Sequence, residues 1–148
     1  MTAASLADFL VFKGMPLVLT LQVEAATTSQ VYAIGEEIVT AGQAGDGRMY
    51  FIESGQVSVL VPLADGAHHR ITSLSAGMNF GEMVLLGQTS RTATVCADTE
   101  VRCRILESRK LEQMAAESPL LKIILLENLA KDMANSLRRA TQWIAALA

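Results

Sequence analysis

A chain of 148 residues is long enough to bury one hydrophobic core, and 51% hydrophobic against 18% charged residues describes a folded domain, not a disordered one. The net charge of -3 and pI near 5.3 argue against a broad basic face for phosphate backbones or anionic lipid, so direct nucleic-acid binding is not expected. No run reaches the roughly 20 apolar residues that cross a bilayer, Met15–Val23 lacks the basic flank of a signal peptide, and Cys96 and Cys103 lack metal-ligand spacing. A cytoplasmic protein with reduced thiols, no metal and no inserted segment is the expectation.

Residues 1–148 read as one domain: an N-terminal segment over 1–30, a β-rich body over 31–107 and C-terminal helices over 108–148. Ser5 to Lys13 has a short helical pattern, with Leu6, Phe9 and Leu10 on one side, ended by Gly14 and Pro16. Leu17, Leu19, Leu21 and Val23 then alternate with partly polar residues, which suits a strand and equally a short buried helix. From there the spacing predicts strands at Val31–Ile34, Glu37–Thr40, Met49–Glu53, Gln56–Pro62, His69–Leu74, Ala93–Ala97 and Val101–Glu107. Turn residues separate nearly all of them: Gly35-Glu36, Gly45-Asp46-Gly47, Ser54-Gly55, Asp65-Gly66 and Ala76-Gly77. Short strands at this spacing mean a sandwich, roll or barrel. Ser108 is expected to N-cap a helix reaching about Glu117, and Ser118-Pro119 opens another with proline at its first position. Along that last helix Ile123, Leu126, Ala130, Met133, Leu137, Ala140, Ile144 and Leu147 recur at alternating steps of three and four, a heptad seam suited to a homodimer or to packing on the body.

The chemistry concentrates in Phe80-Gly81-Glu82-Met83-Val84-Leu85-Leu86-Gly87-Gln88-Thr89-Ser90-Arg91-Thr92-Ala93-Thr94-Val95. Gly81 allows close backbone approach to a ligand, and a helical turn starting near Glu82 would aim N–H groups at an anion. Arg91 can return across the loop and offer its planar fork to the same anion. Glu82, an acceptor only when ionised, suits a hydroxyl instead. A lone Glu and Arg at this spacing would ordinarily be a weak surface ion pair.

The passage closely resembles the phosphate-binding cassette of cyclic-nucleotide-binding domains, as in bacterial catabolite activator proteins, protein kinase A regulatory subunits and cyclic-nucleotide-gated channels. The likeness runs from about Tyr32 to Trp143 and takes in Gly35-Glu36-Glu37-Ile38, Gly42, Gly45-Asp46, Met49-Tyr50-Phe51-Ile52 and Ser54-Gly55-Gln56-Val57. It implies a mainly β fold with α: an antiparallel, jelly-roll-like β-roll flanked by an N-terminal helix and C-terminal helices. It further implies a regulatory domain, not an enzyme, with cAMP or cGMP as ligand and no cofactor. The cassette is placed at 80–95, with Gly81, Glu82, Met83, Val84, Arg91, Thr92 and Ala93 around the ligand and Glu82 on the ribose 2′-hydroxyl. Through His69-Arg70-Ile71 and Gly77–Met83 the chain also resembles the sensor portions at the C-termini of some bacterial glutaminases and sulfate-permease-like transporters, which implies a larger enzyme or transporter chain as its context.

Three positions depart from the family pattern. Ser90 replaces a usual proline, Val84 a usual alanine or serine that would leave more room beside the phosphate, and Thr92 offers a hydroxyl that in some relatives accompanies guanine. A roll that dimerises and has lost its ligand is the rival reading. Outside the cassette, His68 and His69 read as solvated hairpin residues, Trp143 as a base cap or as packing, and Arg138-Arg139 as cations near a helix C-terminus. No nucleophile, general base or catalytic carboxylate pair suggests itself.

Overall fold

The computed structural model describes residues 5–44, 47–87 and 90–147, so the turn expected at Gly45-Asp46 lies outside the described residues. The N-terminal helix expected from Ser5 to Lys13 is instead two 3-10 turns, Leu6–Asp8 and Leu10–Phe12, broken by extended backbone at Phe9. Leu6, Phe9, Val11 and Phe12 are all buried. One α-helix would set Val11 about 200° from Phe9, and the break sends both inward. Residues Leu17–Ala26 form a helix, α1, settling the ambiguity of that stretch. It is apolar on all sides, so Thr20 and Val23 are buried while Leu17, Val18 and Leu21 face outward.

Eight antiparallel strands follow: β1 Thr28–Tyr32, β2 Glu37–Val39, β3 Arg48–Ser54, β4 Gln56–Pro62, β5 His68–Ser75, β6 Asn79–Phe80, β7 Thr94–Ala97 and β8 Val101–Glu107. They make two sheets in the orders β1-β8-β3-β6 and β2-β7-β4-β5, which is the mainly β roll with flanking helices that the sequence implies. The first strand begins three residues earlier than expected and ends at Tyr32. It is an edge strand with four exposed residues and no alternation to read, placed by its pairing of Thr28 with Ile105 and Tyr32 with Val101. β6 escapes prediction because two residues carry no period; Phe80 is set opposite Tyr50 by β3.

β3 explains how the layers stack. Its run Met49-Tyr50-Phe51-Ile52 is apolar without a break because both faces are covered. Tyr50 and Ile52 join Val57, Phe80 and Val95 between the sheets. Met49 and Phe51 point the other way, into a core with the N-terminal turns and the C-terminal helices, where Phe9 meets Phe51 edge-on at 5.6 Å. In the β3–β4 turn Gly55 has φ +95, and a Cβ there would lie 2.3 Å from the Glu100 carbonyl oxygen, so only glycine fits.

β8 runs directly into α2, Ser108–Glu117. Ser108 is its first helical residue and not its cap: Glu107 holds the N-cap position, and the Ser108 amide donates to the Gly47 carbonyl at 2.7 Å. Non-helical backbone at Ser118 (φ -134, ψ 80) makes an elbow, and α3 runs Pro119–Leu147. The stripe of α3 that packs on the body is Leu121, Leu125 and Leu129, not the heptad seam. Asn128 fastens the same face, its side-chain amide donating to the carbonyls of Val11 at 2.8 Å and Lys13 at 2.9 Å. Beyond Leu129 every described residue of α3 is exposed.

Three further expectations resolve here. Arg138 and Arg139 sit more than two turns before the end of α3 and bond Asn135 and Ser136 one turn back, so they do not cap its C-terminus. Trp143, 67% exposed and about 21 Å of helix past Leu129, neither enters its own chain's core nor caps the cassette. His68 and His69 are exposed on β5, and both cysteines are free thiols. Burial pushes the Cys103 thiol up to about 12, with Glu53 adding to the shift.

Candidate functional site

Gly81 ends β6 in the left-handed region, φ +78, and turns the chain into a 3-10 turn, Glu82–Leu86, closed by Gly87 at φ +80. The expected helical turn is thus present in its tighter form, too short for a sizeable dipole, so local amides and side chains must supply any anion affinity. A Cβ on Gly81 would come within 2.9 Å of the Arg48 carbonyl oxygen and 3.0 Å of Arg91 Nη1. Glycine is therefore required twice over, by conformation and by the approach of Arg91.

Arg91 lies in the segment that leads into β7 of the other sheet. Its backbone pairs with the strand-like segment after β2: the Arg91 amide donates to the Gln43 carbonyl at 3.0 Å, and the Gly42 amide donates to the Arg91 carbonyl at 2.9 Å. Its guanidinium donates from Nη2 to the Arg48 carbonyl at 2.9 Å and from Nη1 to the Gly81 carbonyl at 3.5 Å. The fork is thereby held against the cassette turn, which follows directly on the Tyr50–Phe80 stack, whose ring centroids are 4.8 Å apart and nearly parallel. Ser90 is bridged to Ala44 beside it, so the segment before Arg91 is tied down without proline.

Glu82 opens the turn half-buried. Burial raises its carboxyl above the ordinary carboxylate value; Asp132 of α3 adds to the rise, and a backbone hydrogen bond and Arg91 partly offset it. Asp132 lies one turn past Leu129 on the packed side of α3, so that helix brings a second carboxylate into the field of Glu82. Val84 and Leu85 pack on the core that holds Leu125 and Leu129, which makes the cassette turn and α3 neighbours in one apolar cluster. The branched side chain of Val84 is engaged there.

Gly81, Glu82 and Arg91 are thus brought together, Met83 and Ala93 are half-buried alongside, and Thr92 is exposed. Thr94, which pattern reading passed over, is buried and accepts from the Ala41 amide at 3.0 Å, holding the loop before Arg91's partner strand. Asn128 and Asp132 were likewise missed, since neither breaks the helical period. Two surface grooves lie away from the cassette, one of about 360 Å³ at the α2–α3 elbow and one of about 370 Å³ between α1 and α2. Among the described residues there is no His/Cys/Asp/Glu group able to hold a metal and no helix long and apolar enough to cross a membrane.

Residues 29–118, covering the roll and the cassette, match the family described as the cyclic nucleotide-binding domain. The chain belongs to that family. This cyclic nucleotide-binding domain is 36% identical over 113 residues to glutaminase 1 of Bradyrhizobium diazoefficiens, covering 76% of the chain and 18% of the relative. It is 33% identical over 99 residues to a cAMP-dependent protein kinase regulatory subunit of Mucor circinelloides f. lusitanicus, covering 67% of the chain and 22% of the relative. The domain therefore spans less than a quarter of the length of these relatives. A solved cyclic nucleotide-binding domain from Methylobacillus flagellatus superposes with a TM-score of 0.84 over 97% of the chain and 84% of its own, at 19% identity, which establishes a shared fold. The family is regulatory, and the match to glutaminase concerns this domain's segment alone.

Proposed function

We propose that this domain binds a cyclic nucleotide, cAMP or cGMP, and transmits occupancy through α3. Arg91 and the amides of the turn that begins at Gly81 take the cyclic phosphate, with Met83 and Val84 lining it, Glu82 takes the ribose hydroxyl, and Thr92 and Ala93 line the same side. The observation that carries this reading is the guanidinium of Arg91 fixed against the Gly81 and Arg48 carbonyls near Glu82, one group from the turn after β6 and the other from the segment before β7. Charge-assisted pairing to an anion is the strongest use of such a fork.

Signal transfer follows from packing. Val84 and Leu85 share a core with Leu125 and Leu129, so a shift of the turn on phosphate binding changes the seat of α3, with Ser118 as the pivot. Only a ligand that prefers one seat over the other moves that equilibrium. The free half of α3 carries the output, and we propose that its apolar seam pairs with a second copy of the chain. The reading makes this a cytoplasmic, non-catalytic module governing a larger enzyme or transporter, which its small share of its relatives' length supports.

Calorimetry with cAMP and with cGMP tests the proposal. Binding of either is expected, with Arg91→Ala weakening it roughly ten- to hundredfold, the worth of one hydrogen bond to a charged group. Arg91→Lys, which keeps the charge and loses the fork, should fall between. No heat with either nucleotide would favour a roll that has kept its shape for dimerisation alone.

A further inference from the structure

The backbone of Arg91 sits opposite a β-bulge. After β2 the chain makes a four-residue turn in which the Gln43 amide donates to the Thr40 carbonyl at 3.3 Å. Gly42 stands third in it at φ +83, the conformation a type II turn needs there. Gly42 and Gln43 together then oppose the single residue Arg91: the Gly42 amide donates to the Arg91 carbonyl, and the Arg91 amide donates to the Gln43 carbonyl. That is the glycine form of the bulge, which bends the pairing and re-aims side chains beside it.

Such a turn makes no use of the amide of its second residue, Ala41. Here the Thr94 hydroxyl accepts from that amide at 3.0 Å, and Thr94 is 3% exposed. Thr94 opens β7 and pairs with Leu60 of β4, so its hydroxyl is carried by the sheet and not by the loop. One short stretch of chain thus grips the turn at neighbouring points, from Thr94 through a side chain and from Arg91 through its backbone. Removing the hydroxyl would leave the part-buried Ala41 amide unmet; the turn then shifts toward water and carries the Arg91 backbone with it.

The geometry points to Thr94 as a positioning residue: through the Ala41 amide and the bulge at Gly42, its hydroxyl sets the angle from which the Arg91 guanidinium reaches the cassette turn. Thr94 touches no ligand in this role, and the inference rests on the reading of Arg91 as the anion-binding group. A guanidinium stands at the end of a long side chain, so a small rotation at its backbone spoils the match of its planar fork to two oxygens. Ser58 offers the contrast. It is also a buried hydroxyl of this sheet, on β4, but it is bonded at 2.7 and 2.9 Å to the Asp98 carboxylate and not to the turn opposite Arg91.

Thr94→Val keeps the side chain's outline and removes the hydroxyl. In calorimetry it should weaken cAMP or cGMP binding roughly two- to tenfold, the worth of ordering one long side chain. Thr94→Ser, which retains the hydroxyl, should restore the affinity, and Ser58→Ala should leave it unchanged. In an Arg91→Lys background, where a compact ammonium has no fork to orient, Thr94→Val should have no further effect. Gly42→Ala distorts the bulge by conformation alone, since nothing lies within 4 Å of a built Cβ, and should reproduce the loss if Thr94→Val fails to fold.

A second measurement needs no nucleotide. The guanidinium N–H resonances of Arg91, assigned by their absence from Arg91→Lys, should be resolved in the unsubstituted domain and in Thr94→Ser, and averaged in Thr94→Val and Gly42→Ala. An unsubstituted domain that takes up neither nucleotide would overturn the binding reading alone, and these resonances would then decide the role of Thr94. Resonances unchanged by Thr94→Val, or affinity unchanged by it, would overturn the inference. So would equal losses in Thr94→Val and Ser58→Ala, or an undiminished loss in the Arg91→Lys background, since either is the mark of general loosening.

Discussion

Replacing Gly81 with alanine tests whether the site is built on one close approach. An alanine at φ +78 costs about 1–2 kcal/mol for the left-handed conformation alone. Its Cβ would also stand 2.9 Å from the backbone oxygen of Arg48 and 3.0 Å from Arg91 Nη1, so the turn itself must shift away from Arg48 and the guanidinium is displaced with it. Losing its 2.9 Å bond to the Arg48 carbonyl adds about 1.5–3 kcal/mol, since the donor is charged. The total, about 2.5–5 kcal/mol, lowers Tm by roughly 10 °C for a domain of this size. Gly66 provides the control: it has φ +86 with nothing within 4 Å of a built Cβ, so Gly66→Ala carries the conformational cost and no collision. Melting followed by circular dichroism should therefore separate the two variants by about 1.5–3 kcal/mol. Calorimetry should show nucleotide affinity reduced in Gly81→Ala and intact in Gly66→Ala. Equal losses of stability together with undiminished affinity at Gly81→Ala would refute the reasoning.

Other outcomes follow from the same geometry. Glu82 has a raised carboxyl, so the folded state holds its proton to higher pH than the unfolded chain does, and its contribution to stability falls as pH rises from the ordinary carboxylate value through the raised one. Glu82→Gln should therefore raise Tm at pH 7, flatten that part of the stability–pH curve and weaken nucleotide binding; a Tm lowered at pH 7 would contradict the assigned cause. Leu125→Ala, at a site 1% exposed, should cost about 2–5 kcal/mol in urea unfolding. Leu137→Ala, 69% exposed on the seam, should leave the monomer's stability within about 0.5 kcal/mol. A large loss at Leu137 in dilute protein would show that the far half of α3 packs on the roll.

Local pattern was enough for much of the roll. β4 and β8 stand where alternation and turn residues place them, because a strand with one face toward a core must show a period of two, and glycine or Asp-Gly must mark where it reverses. That Gly81, Glu82 and Arg91 come together was legible from residue type at a spacing, and the structure does bring the three to one turn. Ser118-Pro119 announced the elbow because proline removes the donor that would continue α2.

Other features have no local signature. Leu17–Ala26 is apolar on every side, and only the groups around it choose helix over strand. The edge strand β1 and the two-residue β6 exist because β8 and β3 offer them hydrogen bonds, an interaction between residues far apart in the chain. Pattern reading picked out the heptad seam along α3 and not the stripe that meets the body; which side does so depends on the direction in which the elbow aims the helix, and packing selects Leu121, Leu125 and Leu129. The carbonyls of Arg48 and Gly81 that orient Arg91 belong to backbone common to every residue, so no side-chain pattern could reveal them. Residue type determined which groups this domain has to offer; the closing of two sheets on one another decided which of them meet, since pairing and packing are set by distant neighbours.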